Sequence, residues 1–200
     1  MRICKRYNHT CPPILVNDKS IAWVTQTKYL GITLVSHSSF KCNWQSSKKQ
    51  FFSSLNHIFF SLGSHPNASV MLSLFHSICL PILSYGIAAL PLTSSDLHSF
   101  TFAFNDVFHK LFKSSSKAII EQCQYFTGTL PFPIQYDLMR FTFLSSVLKL
   151  DPNCSDPLLQ ADFRDLTLIT NKYNLNIADS SNCIKFKIWN SFKLYIDTIS

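Results

Sequence analysis

The chain has 200 residues, 46% of them hydrophobic and 18 of them Phe, enough to bury a core in one ordinary domain or in a small β unit joined to a helical one. Only 4 Gly argue against a turn-rich β-sandwich or barrel. The formal charge of +7 is uneven: residues 1–50 hold eight Lys and Arg against Asp18 alone, residues 51–100 hold none, and residues 151–200 are slightly acidic.

A basic end on a neutral helical body suits a polyanion, nucleic acid first; a solvated basic surface without a partner has the same composition. Residues 14–35 read as an antiparallel β meander. Ile14-Leu15-Val16 and Ile21-Ala22-Trp23-Val24 flank a turn at Asn17-Asp18-Lys19-Ser20, and Tyr29 to Val35 forms a further strand with Gly31 inside it as a bulge or close approach. From about Cys42 the period becomes helical. Trp44, Phe51, Leu55, Ile58 and Leu62 share one side, with Lys48 and Lys49 off the stripe.

Gly63-Ser64-His65-Pro66 ends that helix, Asn67 can cap the next, and Pro81 starts or kinks its continuation. Ser94 or Ser95 is expected to cap a helix with Leu97, Phe100, Phe104, Val107, Phe108 and Leu111 on its apolar stripe and His109, Lys110 and Lys113 near its C-terminal dipole. Further helices are expected at 117–126, 133–149, 157–171 and 183–198, with breaks at Pro131, Pro133, Pro152 and Pro157. The predicted class is therefore α+β, a small antiparallel meander followed by a mainly helical region. Its divisions are 1–37, 38–150 and a C-terminal helical segment 151–200.

The 7 Cys are scattered and no Cys-x-x-Cys occurs, which argues against a zinc ribbon or a dithiol redox pair. Cys4, His9 and Cys11 come nearest to a metal cluster, but match no common zinc spacing. Met1 to Arg6 is basic and lacks the apolar run of a secretion signal, so an intracellular protein, cytoplasmic or nuclear, with reduced thiols is expected. Val70 to Leu92 is free of charged residues and long enough to span a bilayer. His76, several Ser, Pro81 and Gly86 interrupt it and no positive cluster flanks it, so a buried helix broken at Pro81 is the preferred reading.

Two-metal phosphoryl or nucleotidyl transfer needs converging carboxylates. The basic end offers only Asp18, while Asp151, Asp156, Asp162, Asp165, Asp179 and Asp197 are dispersed in a manner that suits caps and solvated faces. There is no Gly-x-Ser-x-Gly, phosphate-cradling Gly-rich loop or His-Glu-x-x-His. No catalytic residue and no metal site is assigned.

Two strings, in order, carry a resemblance: Lys28-Tyr29-Leu30-Gly31-Ile32 and Leu80-Pro81-Ile82-Leu83-Ser84-Tyr85-Gly86. Together with the meander and the helix between them, they resemble the region that ends the palm and begins the thumb in the reverse transcriptase of non-LTR (LINE-type) retrotransposons. The resemblance spans roughly residues 3–148. It implies that Lys28, Tyr29, Leu30 and Gly31 form a primer-grip-like hairpin. It also implies that Ile3 to Tyr7 ends the preceding strand, and that Phe40 to Phe52 is the first thumb helix, tracking a template–primer duplex. Lys41, Lys48 and Lys49, with Arg2, Lys5 and Arg6, are then candidates for phosphate contacts. The second string is expected to pack the core, with Tyr85 hydrogen-bonded where the helix yields at Gly86.

The chain contains no Tyr-x-Asp-Asp. The family's fingers and metal-binding aspartates would precede Met1, as in a truncated element copy or an incomplete gene model. The expectation is a catalytically incomplete fragment of an RNA-directed DNA polymerase that is not itself an enzyme and needs no cofactor, the intact family enzyme using Mg. Its partner would be RNA or RNA–DNA duplex, bound weakly and without sequence preference, with no small-molecule substrate, and the hydropathy argues against a membrane role. The alternatives are a non-functional or interaction-only helical chain, and a membrane-associated helical protein.

Overall fold

A computed structural model describes residues 1–9, 11–63, 66–90, 92–150 and 160–199. Asp151, Pro152, Cys154, Asp156 and Pro157, and the Ser64-His65 part of the expected helix break, lie outside the described residues. The chain is α+β, with two small antiparallel sheets followed by helices. It divides into two compact units, Met1–Gln50 and Phe51–Ser200.

The first unit holds every strand of the described residues. Strands β1 (Ile14–Val16) and β2 (Lys19–Ile21) pair as an isolated hairpin, and β3 (Gln26–Tyr29), β4 (Ile32–Val35) and β5 (Lys41–Asn43) form a three-stranded meander. The expected single meander is thus two sheets. Its third strand is itself folded, because Tyr29 pairs with Ile32 and leaves Leu30-Gly31 as a two-residue turn. Gly31 accordingly lies in a turn rather than inside a strand. Both turns use positive φ at their two central residues, 49° and 59° at Asn17 and Asp18, 45° and 81° at Leu30 and Gly31. That geometry matches the right-handed twist of the flanking strands. Asn, Asp and Gly tolerate it, whereas Leu30 does not without strain.

Strand β5, beyond the expected boundary at residue 37, completes the sheet. Lys41, expected in the first thumb helix, is therefore in a strand. Helix α1 (Gln45–Leu62) begins only after Asn43, whose Oδ1 accepts the Gln45 N–H at 2.9 Å. Ile3 to Tyr7 is not a strand: Ile3 makes one isolated parallel bridge to His37, and the chain then turns through Tyr7 N–H to Cys4 O and His9 N–H to Arg6 O.

In the second unit α2 (Ala68–Leu74), a π turn (Phe75–Cys79) and α3 (Leu80–Ser84) run on as one helical stretch. Asn67 caps it, accepting the Ser69 N–H at 2.9 Å. The widened π turn comes immediately before Pro81, whose ring would clash with the carbonyl four residues back in a regular helix. Helix α4 (Ser94–Phe112) is capped by Thr93, not by Ser94 or Ser95. Only from Thr93 does an acid stand at the third helical position, so Thr93 and Asp96 form a reciprocal capping box. Then come α5 (Lys117–Phe126), α6 (Phe132–Leu150), α7 (Gln160–Tyr173) and α8 (Ser181–Ile199).

Fully buried rings of Phe51, Phe75, Phe104, Phe132 and Phe100 run through α1, the π turn, α4 and α6, with successive centroids 5.3 to 6.4 Å apart. A second cluster packs Phe141 and Leu144 of α6 against Leu166 and Ile169 of α7 and Ile184 and Ile188 of α8. The Pro81 string reaches the core through Leu83 and, beyond it, Ile87. Tyr85, expected in the core, is 56% exposed where the chain turns at Gly86, φ 75°. Among the described residues no helix is long and apolar enough to cross a membrane.

Candidate nucleic-acid interface

Strand pairing decides which of the basic residues share a surface. Residues directly opposite in an antiparallel pair point to the same side, and neighbours along a strand point to opposite sides. Lys28 is opposite Thr33, itself opposite Asn43; Gln26 is opposite Val35, itself opposite Lys41. These six residues form one face, and Lys28 and Lys41 are its two cations. Two strand spacings and two residues of rise put their Cα atoms about 12 Å apart. The opposite face carries Thr27, Tyr29, Ile32, Leu34 and Cys42, of which Cys42 is buried.

The four residues of the Lys-Tyr-Leu-Gly string therefore do not converge. Lys28 faces one way, Tyr29 the other, and Leu30, 70% exposed, projects at the tip beside Gly31. On α1, Lys49 is exposed, whereas Lys48 is partly buried because it flanks the Phe51–Leu55 stripe instead of opposing it. Lys5 and Arg6 are exposed in the N-terminal turns.

Arg2 has a different position. Its guanidinium lies over the Trp23 ring at 5.1 Å, with Nη1 donating to Cys11 Sγ at 2.9 Å and Nη2 to the His9 carbonyl. The Ser36 hydroxyl donates to the Arg2 carbonyl at 2.6 Å, and the Trp23 indole N–H donates to the Pro12 carbonyl at 3.1 Å. Tyr7 stacks on His37 at 5.6 Å. These contacts enclose a cleft of about 410 Å³ lined by Arg2, Tyr7, His9, Trp23, Thr25 and Ser36 among others. Spacing alone hinted at a Cys4, His9 and Cys11 group. Here His9 offers its carbonyl to Arg2, and among the described residues no group of three His, Cys, Asp or Glu is placed to hold a metal.

In the second unit several charges pair with one another. A cleft of about 290 Å³ is bounded by Tyr136, Asp137, Arg140, Asp165 and Lys172. Arg140, wholly buried, reaches Asp165 at 3.3 Å and the Ala88 carbonyl at 3.0 Å. Asp137 accepts from Lys172 at 2.7 Å and from the Tyr173 hydroxyl at 2.8 Å. Burial first, and then the Asp137 charge, push the Tyr173 hydroxyl far above the ordinary tyrosine range. With two cations and two carboxylates the network is balanced, and its chemistry is that of a clamp between α6 and α7. Sequence reasoning missed Arg140 and treated Asp165 as dispersed, because the two partners stand on different helices and no local pattern links them.

Lys110 is similarly engaged, 2.8 Å from Asp106 and 3.3 Å from Asn56 Oδ1. His76 bonds Thr129 Oγ1 at 3.1 Å, and burial lowers its pKa below the ordinary 6.5. Burial likewise raises the Cys79 thiol to about 11, which keeps it protonated and unreactive near neutral pH.

Comparison with protein-family models, with curated proteins and with solved structures returns no match for this chain.

Proposed function

We propose that the chain is a catalytically incomplete piece of a non-LTR retrotransposon RNA-directed DNA polymerase, with one remaining capacity: weak, sequence-blind binding of RNA or RNA–DNA duplex through the basic N-terminal unit. The resemblance of the two strings supports the ancestry. The binding is supported by Lys28 and Lys41 sharing one sheet face whose six residues include no acid. Point cations on a partly exposed sheet suit phosphate oxygens, which fix position without reading sequence. The chain supplies no Tyr-x-Asp-Asp, and the first unit has Asp18 as its only carboxylate side chain. Carboxylates converging on Mg would have to come from elsewhere, so we read the chain as non-enzymatic.

The test is fluorescence anisotropy of a labelled RNA–DNA hybrid over a salt series. Binding at low salt should fall linearly with log salt, and the Lys28→Gln/Lys41→Gln double variant should reduce the slope by roughly 1 to 2, close to one per lost phosphate contact. No affinity at low salt, or a slope the double variant leaves unchanged, rejects the proposal. The rival is a chain without molecular function whose strands lack their sheet. It draws support from the exposed Ile14, Leu15, Val16 and Ile21 of the isolated hairpin. Aggregation on expression without cooperative unfolding would favour it.

A further inference from the structure

The cleft beside the N-terminus combines features that a general phosphate-binding surface does not need. Trp23 remains 38% exposed although the Arg2 guanidinium covers part of its ring. Tyr7 supplies a second aromatic wall, steadied by stacking on His37. Asn8, Thr25 and Ser36 also line the cleft. The space, about 410 Å³, is in the range that accepts a small ligand. No Asp or Glu lines it among the described residues, and the exposed Lys5 and Arg6 belong to the same N-terminal turns.

A planar ring attached to negative charge satisfies all of these. We infer that this cleft takes one unpaired nucleobase of a single strand, stacked on Trp23, with the adjoining phosphates held by the cations of the N-terminal turns. A base in a duplex has both faces covered by its neighbours and cannot enter; an unstacked base can. The inference rests on the nucleic-acid reading above and narrows it to single-stranded RNA or DNA. It also assigns Arg2 a positioning role, holding the indole, the His9 carbonyl and Cys11 in place.

The experiment compares a labelled oligouridylate (about 12 nucleotides, within usual single-strand site sizes) with an RNA–DNA hybrid of equal length, using the full chain at low salt. The hybrid carries more charge, so electrostatics alone favours it; base stacking is the term that favours the single strand. Trp23→Leu should weaken oligouridylate binding by about 5- to 100-fold, the effect of losing one stacked base, and change hybrid binding by less than about twofold. Trp23→Phe, which keeps an aromatic face, should stay within about threefold of the parent on the same scale.

Because Trp23→Leu also removes the bond to the Pro12 carbonyl, the unsubstituted chain provides an independent reading. Oligouridylate should quench its indole emission, and Trp23→Phe should abolish that quenching. Equal weakening of both probes by Trp23→Leu, no weakening, or no quenching overturns the inference. If the Lys28/Lys41 variant still lowers hybrid affinity in that case, the phosphate-binding reading stands and the base cleft falls alone. If neither probe binds, both fall.

Discussion

The two units hold their folds by different means. Residues from Phe51 onward gather long helices around rings that are almost wholly buried, among them Phe51, Phe75, Phe100, Phe104, Phe108, Phe132, Phe141 and Phe192. In Met1–Gln50 the buried side chains among the described residues are Cys42 and Trp44, and the strands are three or four residues long. The helical unit is stabilised by apolar area removed from water; the strand unit depends on turn geometry, backbone pairing and a few side-chain bonds. Cations and exposed backbone edges are concentrated where burial contributes least. Among the described residues of the helical unit Asp106, Asp137, Asp165 and Asp179 each pair with a Lys or Arg of the same unit, whereas the strand unit has eight cations and one carboxylate side chain. A partner that supplies negative charge suits the second situation.

The sharpest way to break this contrast is to remove a central ring. Phe104→Ala, between Phe75 and Phe132, should cost about 3–5 kcal/mol, read as a lower denaturation midpoint by far-UV circular dichroism, which the helices dominate. A loss below about 1 kcal/mol would show that the helical unit does not depend on its aromatic core. Asp165→Asn comes next. It removes the charge facing buried Arg140 but leaves the Ala88 carbonyl, and Asp165 is partly exposed, so about 2 kcal/mol is expected.

In the strand unit the largest change should be a gain. Leu30→Asn relieves a left-handed backbone position and should stabilise the β3–β4 hairpin by about 1 kcal/mol, measured by amide hydrogen exchange at Thr27 and Leu34, a pair whose amides face each other across the ladder. Slower exchange supports dependence on turn geometry, and faster exchange contradicts it.

The smallest effect concerns pH. His76 has a folded pKa below its unfolded 6.5, so the unfolded chain binds more protons as pH falls through that value. The resulting loss of stability begins as pH drops past about 6.5 and is complete below the folded pKa. His76→Gln should flatten this part of the stability profile in an acid titration, while leaving stability at pH 8, where His76 is neutral in both states, with no proton-linked difference.

The helical half was legible because its signals are local. The stripe Phe100–Phe104–Phe108, the cap at Asn67 and the helical irregularity at Pro81 each depend on residues within a few turns; the first two have their counterparts in α4 and α2, and at Pro81 the helix widens into a π turn instead of breaking. Thr93 was missed as a cap because two serines beside it have equal intrinsic preference; the acid at Asp96 discriminates between them. The strand unit was less legible. Alternation identified strands but not which residues pair, and a glycine in an apolar run reads equally as a bulge or a turn.

Amino-acid order by itself determined the class, the unequal charge and the position of nearly every helix, since these follow from composition and from periods of two and 3.6 residues. Tertiary structure decided that the meander is two sheets, that Lys41 joins Lys28 on one face, that Arg140 is buried against Asp165, and that Arg2, Tyr7 and Trp23 enclose a cleft. The physical reason is register. A shift of one residue in a strand exchanges its two faces, and only long-range pairing selects between them.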